Sequence, residues 1–555
     1  MITIQGKSAS TGIARGPLYF FRHAQSTISR CRAGESSAEW ARFKAAQKTV
    51  VEQLGDLSKK ARTEAGDEAA LLFEAHQMMA EDPDFEETIL KAIQDEEQNA
   101  EAAVTGAAAL FAEMFTAMDD PRMQSRAADI KDISNRILSI LTGAAPEKIN
   151  ANFPVILTAD DLAPGEVIQL GKSKISGIIT KGGSAFSHTA ILARTMGIPT
   201  IVQAGDQLSP EYEGHEVILD GTTGFAVIDA DTDTRSQMTA RMEEQRRTRK
   251  MLQNLKGLPN RTKDGRMIRI TCSINNPDEV HTVLKNDAEG IGLFRSEFLY
   301  LSRDDYPSED FQFEAYKQVL QDMGGHEVII RTLDIGADKQ IAYLNLAKEE
   351  NPALGNRGLR ICLNRPEIFH TQIRALYRAS AFGKLSIMFP MVSSVWEVLE
   401  AKKMCEQVKK ELTDERISFD HDVQIGIMIE TPAAAMISDR LAKESDFFSC
   451  GANDLTQYTL ACDRRNADLG RFFDPHHTAV LRMLKMVCDN AHRNGIRIGI
   501  CGELAADLNL TETILSLGID ELSVPPCSVL PLRQKVREID LAAVRDQILD
   551  DLMSG

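Results

Sequence analysis

IGIMIETPAAAMISDRLAKESDFFSCGAND, Ile425 to Asp454, holds two short apolar runs with a helical stretch between them. IGIMIE stops at Glu430, and FFSCG runs into Asn453-Asp454. Apolar runs this short, closed by polar residues, read as buried strands. The stretch is therefore strand, helix, strand, with a polar group delivered at each strand's C-terminal end. The same rhythm extends outward in both directions after about Asn260. MIRITCSI, GIGLF, EVIIRTLDIG, LSIMFPMV, IGIMIE, FFSCG, RIGICG and IDELSV make eight such runs, most of them separated by helical stretches. Eight parallel strands over roughly 290 residues predict a closed (β/α)8 TIM barrel.

Active sites of such barrels lie at the C-terminal strand ends. Arg295 follows GIGLF, EVII leads to Arg331 and Asp334, Glu430 closes IGIMIE, and RIGI leads to Cys501. NPALGNRGLR adds Arg357 and ACDRRN adds Arg464. A single arginine at a strand end is ordinarily a surface ion pair. Four of them, with carboxylates and a thiol at the expected ends, form a functional constellation. Oxygen donors without a histidine or thiolate cluster suit Mg2+ or Mn2+. Planar guanidiniums suit phosphate and carboxylate oxygens. The substrate implied is a small phosphorylated acid that chelates a divalent ion. Cys501 is either a proton donor facing that substrate or a small buried residue.

Upstream the pattern differs. Residues 1 to about 25 read as short strands and turns, and Ser36 to about Thr142 reads as helical. Between Arg62 and Glu101 lie thirteen acidic residues and only Arg62 and Lys91 as basic ones, with Met78 and Met79 among them. Such a face is either solvated surface or an adaptable docking site for a basic partner. From Phe153 to about Asp229, apolar runs alternate with turns, so the helical block is inserted into one compact β/α unit. Within that unit lies KGGSAFSHTAILARTMGIPT, Lys181 to Thr200. Gly182 and Gly183 permit a tight turn, and His188 stands where the following helix begins. A helix N-terminus stabilises an anion, so His188 is either a phosphoryl acceptor or a capping histidine. Asp231 to Leu255 lacks Gly and Pro and predicts a long exposed linker helix.

Composition narrows the class. A chain of 555 residues holds roughly two to four domains. Its formal charge of −18 argues against a nucleic-acid binder. The nine cysteines include no CxxC pair, so neither a zinc cage nor a disulfide framework is indicated, and free thiols point to a reducing cytoplasm. No run of 18 apolar residues occurs, and the N-terminal segment lacks the apolar core of a signal peptide, so no membrane insertion is expected.

GIGLFRSEFLYLSRDDYPSED, RTLDIGADKQ, ENPALGNRGLRI, ASAFGKLSIMFPM, FFSCGANDLTQYTLACDRRN and CGELAAD, together with SRAADIKDISNRIL in the helical block, carry a further reading. Across essentially its whole length the chain resembles the Enzyme I family of the sugar phosphotransferase system, the phosphoenolpyruvate–protein phosphotransferases. The resemblance implies an α/β multidomain fold. It assigns residues 1–30 and 143–230 to a swivelling β/α phosphohistidine domain and 31–142 to an inserted helical bundle that docks the carrier HPr. Residues 231–260 become a helical linker, and 261–555 the phosphoenolpyruvate-binding barrel that pairs into a homodimer. It also implies that His188 is phosphorylated. Arg295, Arg331, Asn453, Asp454 and Arg464 would hold phosphoenolpyruvate, with Arg357 close to its phosphate. Glu430 and Asp454 would bind Mg2+, and Cys501 would protonate the departing enolate to give pyruvate.

Two positions depart from the family pattern. Gly183 and His188 are separated by Ser184-Ala185-Phe186-Ser187, one residue more than usual, and the Thr that normally stands before the serine is missing. Asn356 stands where a bulky residue is usual, which predicts altered affinity. Pyruvate phosphate dikinase and phosphoenolpyruvate synthase are excluded by length and by the lack of a Gly-rich phosphate loop. A paralogue serving another carrier, such as that of a dihydroxyacetone kinase, remains an alternative. An inactive regulatory relative would have no need of the full set of His188, Glu430, Asp454, Arg295, Arg331 and Cys501.

Overall fold

The computed structural model describes residues 1–21, 35–65, 67–116, 121–143, 153–185, 187–301, 303, 305–337, 341–464 and 466–554. The expected boundary near residue 30 and Phe186 lie outside the described residues. The chain divides into two compact units, Met1–Thr248 and Arg249–Gly555.

The first unit is built on one mixed sheet. Its strands are β1 (Ile2–Gln5), β2 (Lys7–Ser10), β3 (Ile13–Phe20), β4 (Val155–Ala159), β5 (Ile175–Thr180), β6 (Thr200–Val202), β7 (Glu216–Asp220) and β8 (Phe225–Ile228). They run in the order β1-β8-β7-β3-β4-β5-β6-β2. Between β3 and β4 the chain forms helices Ser36–Ala65, Asp67–Ala80, Pro83–Gln94, Ala100–Thr116 and Pro121–Leu141. Local chemistry sets these elements. Pro83–Gln94, for example, begins with Asp82, whose carboxylate accepts from the backbone N–H groups of Asp84 and Phe85. It has proline at its first position and buries Phe85, Ile89 and Ile93, four apart on one face. Helices and sheet share a core: Phe43, Val50, Phe73 and Ile133 pack in one cluster with Leu157, Val167 and Leu192. A helix Thr232–Gln253 follows β8. It was expected to be exposed throughout, yet Met238 and Met242 pack against the cluster of Ile13, Ile218 and Ala230. Charge dominates its sequence, and these two apolar residues, four apart, dock one face of it, with Arg235 pairing to Glu216 and Arg241 to Asp220.

The second unit is the closed parallel barrel. Its strands are β9 (Arg269–Ile274), β10 (Gly290–Arg295), β11 (Glu327–Arg331), β12 (Leu385–Phe389), β13 (Gln424–Ile429), β14 (Phe447–Gly451), β15 (Arg497–Cys501) and β16 (Glu521–Val524), and β16 closes on β9. Each corresponds to one of the eight apolar runs. Successive side chains on a strand alternate faces, so residues two apart share one. Leu293, Ile329, Met388, Met428, Phe447 and Cys501 meet in an apolar layer inside the barrel. Two residues on from Ile329 and Met428, the same face carries Arg331 and Glu430. Two residues before Ile329 stands Glu327.

The interior is thus an apolar layer between two charged ones. In the floor, Glu327 accepts from Arg497 Nη2 at 2.6 Å and pairs with Arg269 at 2.7 Å. Arg269 also pairs with Glu521 at 3.2 Å, and the Arg497 guanidinium lies 4.9 Å from the Phe447 ring. Burial alone would raise the Glu327 carboxyl, but Arg497 and Arg269 overcome it and lower it from 4.5 to about 2.

A carboxyl held lower in the folded state stabilises above its unfolded value and loses that contribution as pH falls toward its folded one. Barrel stability, followed by denaturant titration, should therefore decline between pH 4.5 and about 2. Glu327→Gln should cost about 3 kcal/mol at neutral pH, because it leaves buried arginines unpaired, and should flatten this acid dependence. Unchanged acid sensitivity in the variant would remove Glu327 as its source.

Candidate active site

The charged upper layer opens into a cleft of about 470 Å³ at the C-terminal strand ends. Its lining brings together Arg295, Arg331, Arg357, Glu430, Asn453, Asp454, Arg464 and Cys501, all of the barrel residues expected from sequence. That volume suits a small ligand. Asp334 organises the arginines. Its carboxylate accepts from Arg357 Nε and Nη2, both at 3.1 Å, and pairs with Arg331 Nη1 at 2.9 Å. Burial would raise Asp334, but the charges of Arg331 and Arg357 keep it lowered. Arg357 also donates from Nη1 to Asp454 at 3.3 Å and to the Tyr458 hydroxyl at 3.2 Å. Arg464 lies 3.6 Å from the other Asp454 oxygen. Arg295 is aimed by Asn275, to which it donates at 2.8 Å.

Glu297 also lines the cleft, and sequence reasoning missed it. It accepts from Arg331 Nη2 at 2.9 Å and from the Asp334 backbone at 3.0 Å. It lies two residues beyond Arg295 in GIGLFRSE, already past β10, so strand-end counting passes over it. Asn356 does not appear among the residues lining the cleft. Its side chain accepts from Asn364 at 3.2 Å, and its backbone N–H donates to Glu349 at 2.9 Å. Any effect of this position on affinity therefore passes through the loop that carries Arg357.

The electrostatics favour an anion. Four guanidiniums face the cleft with Asp334 and Asp454, while burial pushes both Glu297 and Glu430 toward their neutral forms. For Glu430, burial acts together with the negative charges of Asp334 and Asp454 to raise it to about 8. One Glu430 oxygen accepts from the Met391 backbone at 2.6 Å, and the other is buried without a hydrogen-bond partner. A buried, unpartnered carboxylate oxygen is poised for a cation. Among the described residues no group of three or more His, Cys, Asp or Glu is arranged to hold a metal alone. Glu430 and Asp454 would thus supply two hard donors, leaving other positions to substrate and water, a division usual for a small divalent ion. Cys501, the last residue of β15, is buried and donates to the Cys450 carbonyl at 3.5 Å. Burial raises its thiol above its ordinary value against the opposing pull of Arg295, so it holds its proton.

His188 belongs to the first unit. It opens the helix His188–Thr195, with Ser187 capping by accepting from the Ala190 N–H at 3.2 Å. The turn before it is pinned. Gly183 has a φ of +80°, and Arg194 donates to the Ala185 carbonyl at 2.9 Å. His188 Nδ1 lies 3.5 Å from Asp129 Oδ1, and this carboxylate raises the ring's pKa ahead of the opposing effect of burial.

A barrel whose mouth gathers four arginines around paired carboxylates defines an enzyme acting on a small phosphorylated acid. The family models agree. "PEP-utilising enzyme, PEP-binding domain" matches residues 249–541, "PEP-utilising enzyme, N-terminal" residues 5–126, and "PEP-utilising enzyme, mobile domain" residues 152–224. Proteins named phosphoenolpyruvate-protein phosphotransferase are similar over nearly the full length. That of Priestia megaterium is 40% identical over 99% of this chain and 96% of its own. That of Bacillus subtilis (strain 168) is 38% identical over 97% and 95%, and that of Staphylococcus carnosus (strain TM300) 37% over 98% and 95%. The chain belongs to the phosphoenolpyruvate–protein phosphotransferases, the Enzyme I family of the phosphotransferase system. Enzymes of this family use a metal cofactor. Among the described residues no helix is long and apolar enough to cross a membrane.

Gly451 tests the geometry of the upper layer. A Cβ there would lie 2.8 Å from both Cβ and Oε2 of Glu430. Gly451→Ala should therefore displace the Glu430 carboxylate and weaken phosphoenolpyruvate binding in the presence of Mg2+ by about tenfold to a hundredfold. The circular dichroism of the chain should be unchanged. Parent affinity in a calorimetric titration would show that Glu430 has no part in the site.

Proposed function

We propose that this chain takes the phosphoryl group of phosphoenolpyruvate onto its own His188, releases pyruvate, and passes the group to a histidine of the small carrier protein HPr. The observation that carries the reading is the surplus of guanidinium charge at the barrel mouth beside the unpartnered Glu430 oxygen. Arg295, Arg331, Arg464, Asn453 and Asp454 hold the substrate, and Arg357 lies at its phosphate. Such forks bind planar carboxylate and phosphate oxygens two at a time and stabilise charge as it spreads over the moving group. Mg2+, or Mn2+, held by Glu430 and Asp454, would supply further charge neutralisation when bound.

Each protein group has a defined task. A His188 ring nitrogen forms the N–P bond as the P–O bond to the enolate breaks. The helix N-terminus behind it favours the incoming negative charge. Cys501 then gives its proton to C3 of the enolate, completing pyruvate; its raised thiol makes it an acid at neutral pH, not a nucleophile. Because acceptor and cleft lie on different units, transfer requires an encounter between them, and each half-reaction can exclude water separately.

The helical insert suits the carrier. Met78 is 76% exposed, with Leu71, Leu110 and Met114 about half exposed. Apolar anchors in an acidic surround fit a basic partner. We assign homodimer contact to the barrel. There Trp396, 60% exposed, and Leu399 share one face of the helix Val395–Asp414. The described cysteines are free thiols, which suits a reducing cytoplasm.

His188→Ala is the discriminating variant. Radiolabelled phosphoenolpyruvate with Mg2+ should no longer label the chain, while calorimetry should find substrate affinity within about twofold of the parent, since the cleft residues are untouched. Persistent labelling would move the acceptor elsewhere. Complete loss of binding would make His188 part of the barrel site.

A further inference from the structure

The group beside His188 comes from the helical insert. Asp129, on the helix Pro121–Leu141, is only 7% exposed, and its Oδ1 lies 3.5 Å from His188 Nδ1 and 3.2 Å from His76 Nε2. His76, on the helix Asp67–Ala80, is fully buried. Its other ring nitrogen faces Asp132 at 3.9 Å, and Asp132 in turn accepts from Arg136 at 3.3 Å. The groups therefore form a file from Arg136 through Asp132, His76 and Asp129 to His188. Burial would raise the Asp129 carboxyl, but the two histidines hold it well below the usual carboxylate range.

A buried carboxylate kept ionised between two imidazoles has a clear use next to a phosphoryl acceptor. Given that His188 is that acceptor, we propose that Asp129 is its positioning residue. It accepts a hydrogen bond from Nδ1–H and leaves the Nε2 lone pair free to take the phosphoryl group, while His76 braces the carboxylate from behind. The ring keeps 42% of its side-chain surface exposed, so the edge away from Asp129 is open to phosphorus. A spacing of 3.5 Å is long for a hydrogen bond; contacts of this kind commonly tighten when the reacting partner arrives.

The charge balance supports the arrangement. The Nε2 lone pair makes the N–P bond as the P–O bond electrons leave with the enolate. The ring keeps its Nδ1 proton and becomes cationic. Asp129 faces that new positive charge from a buried position, where charge pairing is stronger than in water. When the phosphoryl group departs, the N–P bond electrons return to Nε2 and the ring is neutral again, with the same proton in place. A histidine oriented by a carboxylate on its second nitrogen is a general device for fixing the tautomer.

The test reads the tautomer directly. In the intact ¹⁵N-labelled chain, with His188→Ala identifying its signals, long-range proton–nitrogen correlation at a pH where the ring is neutral should show Nδ1 protonated and Nε2 bare. Asp129→Asn should mix the two tautomers and slow self-phosphorylation by about a hundredfold. Phosphoenolpyruvate affinity in the barrel should not change, and Asp129→Glu should restore part of the rate. A native His188 protonated at Nε2 overturns the inference without any variant, as does an Asp129→Asn chain with parent tautomer and rate. Labelling that survives in His188→Ala would instead overturn the acceptor reading itself.

Discussion

The carboxylate of Asp334, 3% exposed at its side chain, is shared by Arg331 and Arg357, and the barrel mouth depends on this sharing. A lone buried charge of either sign would cost several kcal/mol, so none of the three groups is stable there without the others. Together they hold two guanidiniums at fixed positions before any substrate arrives. Arg357 extends the pairing to Asp454, and Glu297 closes it behind Arg331. Burial, together with the negative charges of Asp334 and Asp454, leaves Glu430 neutral-leaning, and one of its oxygens has no hydrogen-bond partner. Preorganised charge of this kind need not reorganise during reaction, which is where electrostatic catalysis gains most.

The apolar layer beneath makes that mouth possible. Leu293, Ile329, Met388, Met428 and Phe447 separate the mouth from the floor of Glu327, Arg269, Arg497 and Glu521. Each charged layer is thereby self-contained. In the first unit a comparable economy operates at smaller scale. One helix start, one cap and one buried carboxylate present a single imidazole, and the carboxylate belongs to the same helical insert whose exposed apolar residues face solvent. Insert and sheet share a core, so the position of Asp129 relative to His188 is set by packing and not by a flexible tether.

The barrel was legible because each strand is a short apolar run, several of them closed by a polar residue, and period-two alternation then puts Arg331 and Glu430 on the inner face. Arg295, Arg331 and Cys501 end their strands and Glu430 follows directly on β13, so counting strands reaches them, whereas Arg357 and Arg464 stand in the segments beyond and come only from the motifs that hold them. Glu297 was hidden because it follows the strand end instead of closing it. The floor was hidden for a different reason: Arg269, Glu327, Arg497 and Glu521 stand at strand starts and read as surface charges until the sheet closes and makes them converge. Nor does sequence spacing bring Asp129 to His188, since the two meet only when the insert packs on the sheet. Sequence marks Asn356 as a departure beside Arg357, but not that its side chain accepts from Asn364.

The reaction is a covalent relay, in which the chain itself holds the phosphoryl group between donor and carrier. Isotope exchange tests it most directly, because a phosphorylated enzyme can return its group to pyruvate when no carrier is present. With Mg2+, phosphoenolpyruvate and labelled pyruvate as the only small molecules, label should enter phosphoenolpyruvate at a rate comparable to self-phosphorylation. Absence of exchange until a carrier is added would mean that donor and carrier react in one complex, with no phosphoryl group resting on this chain.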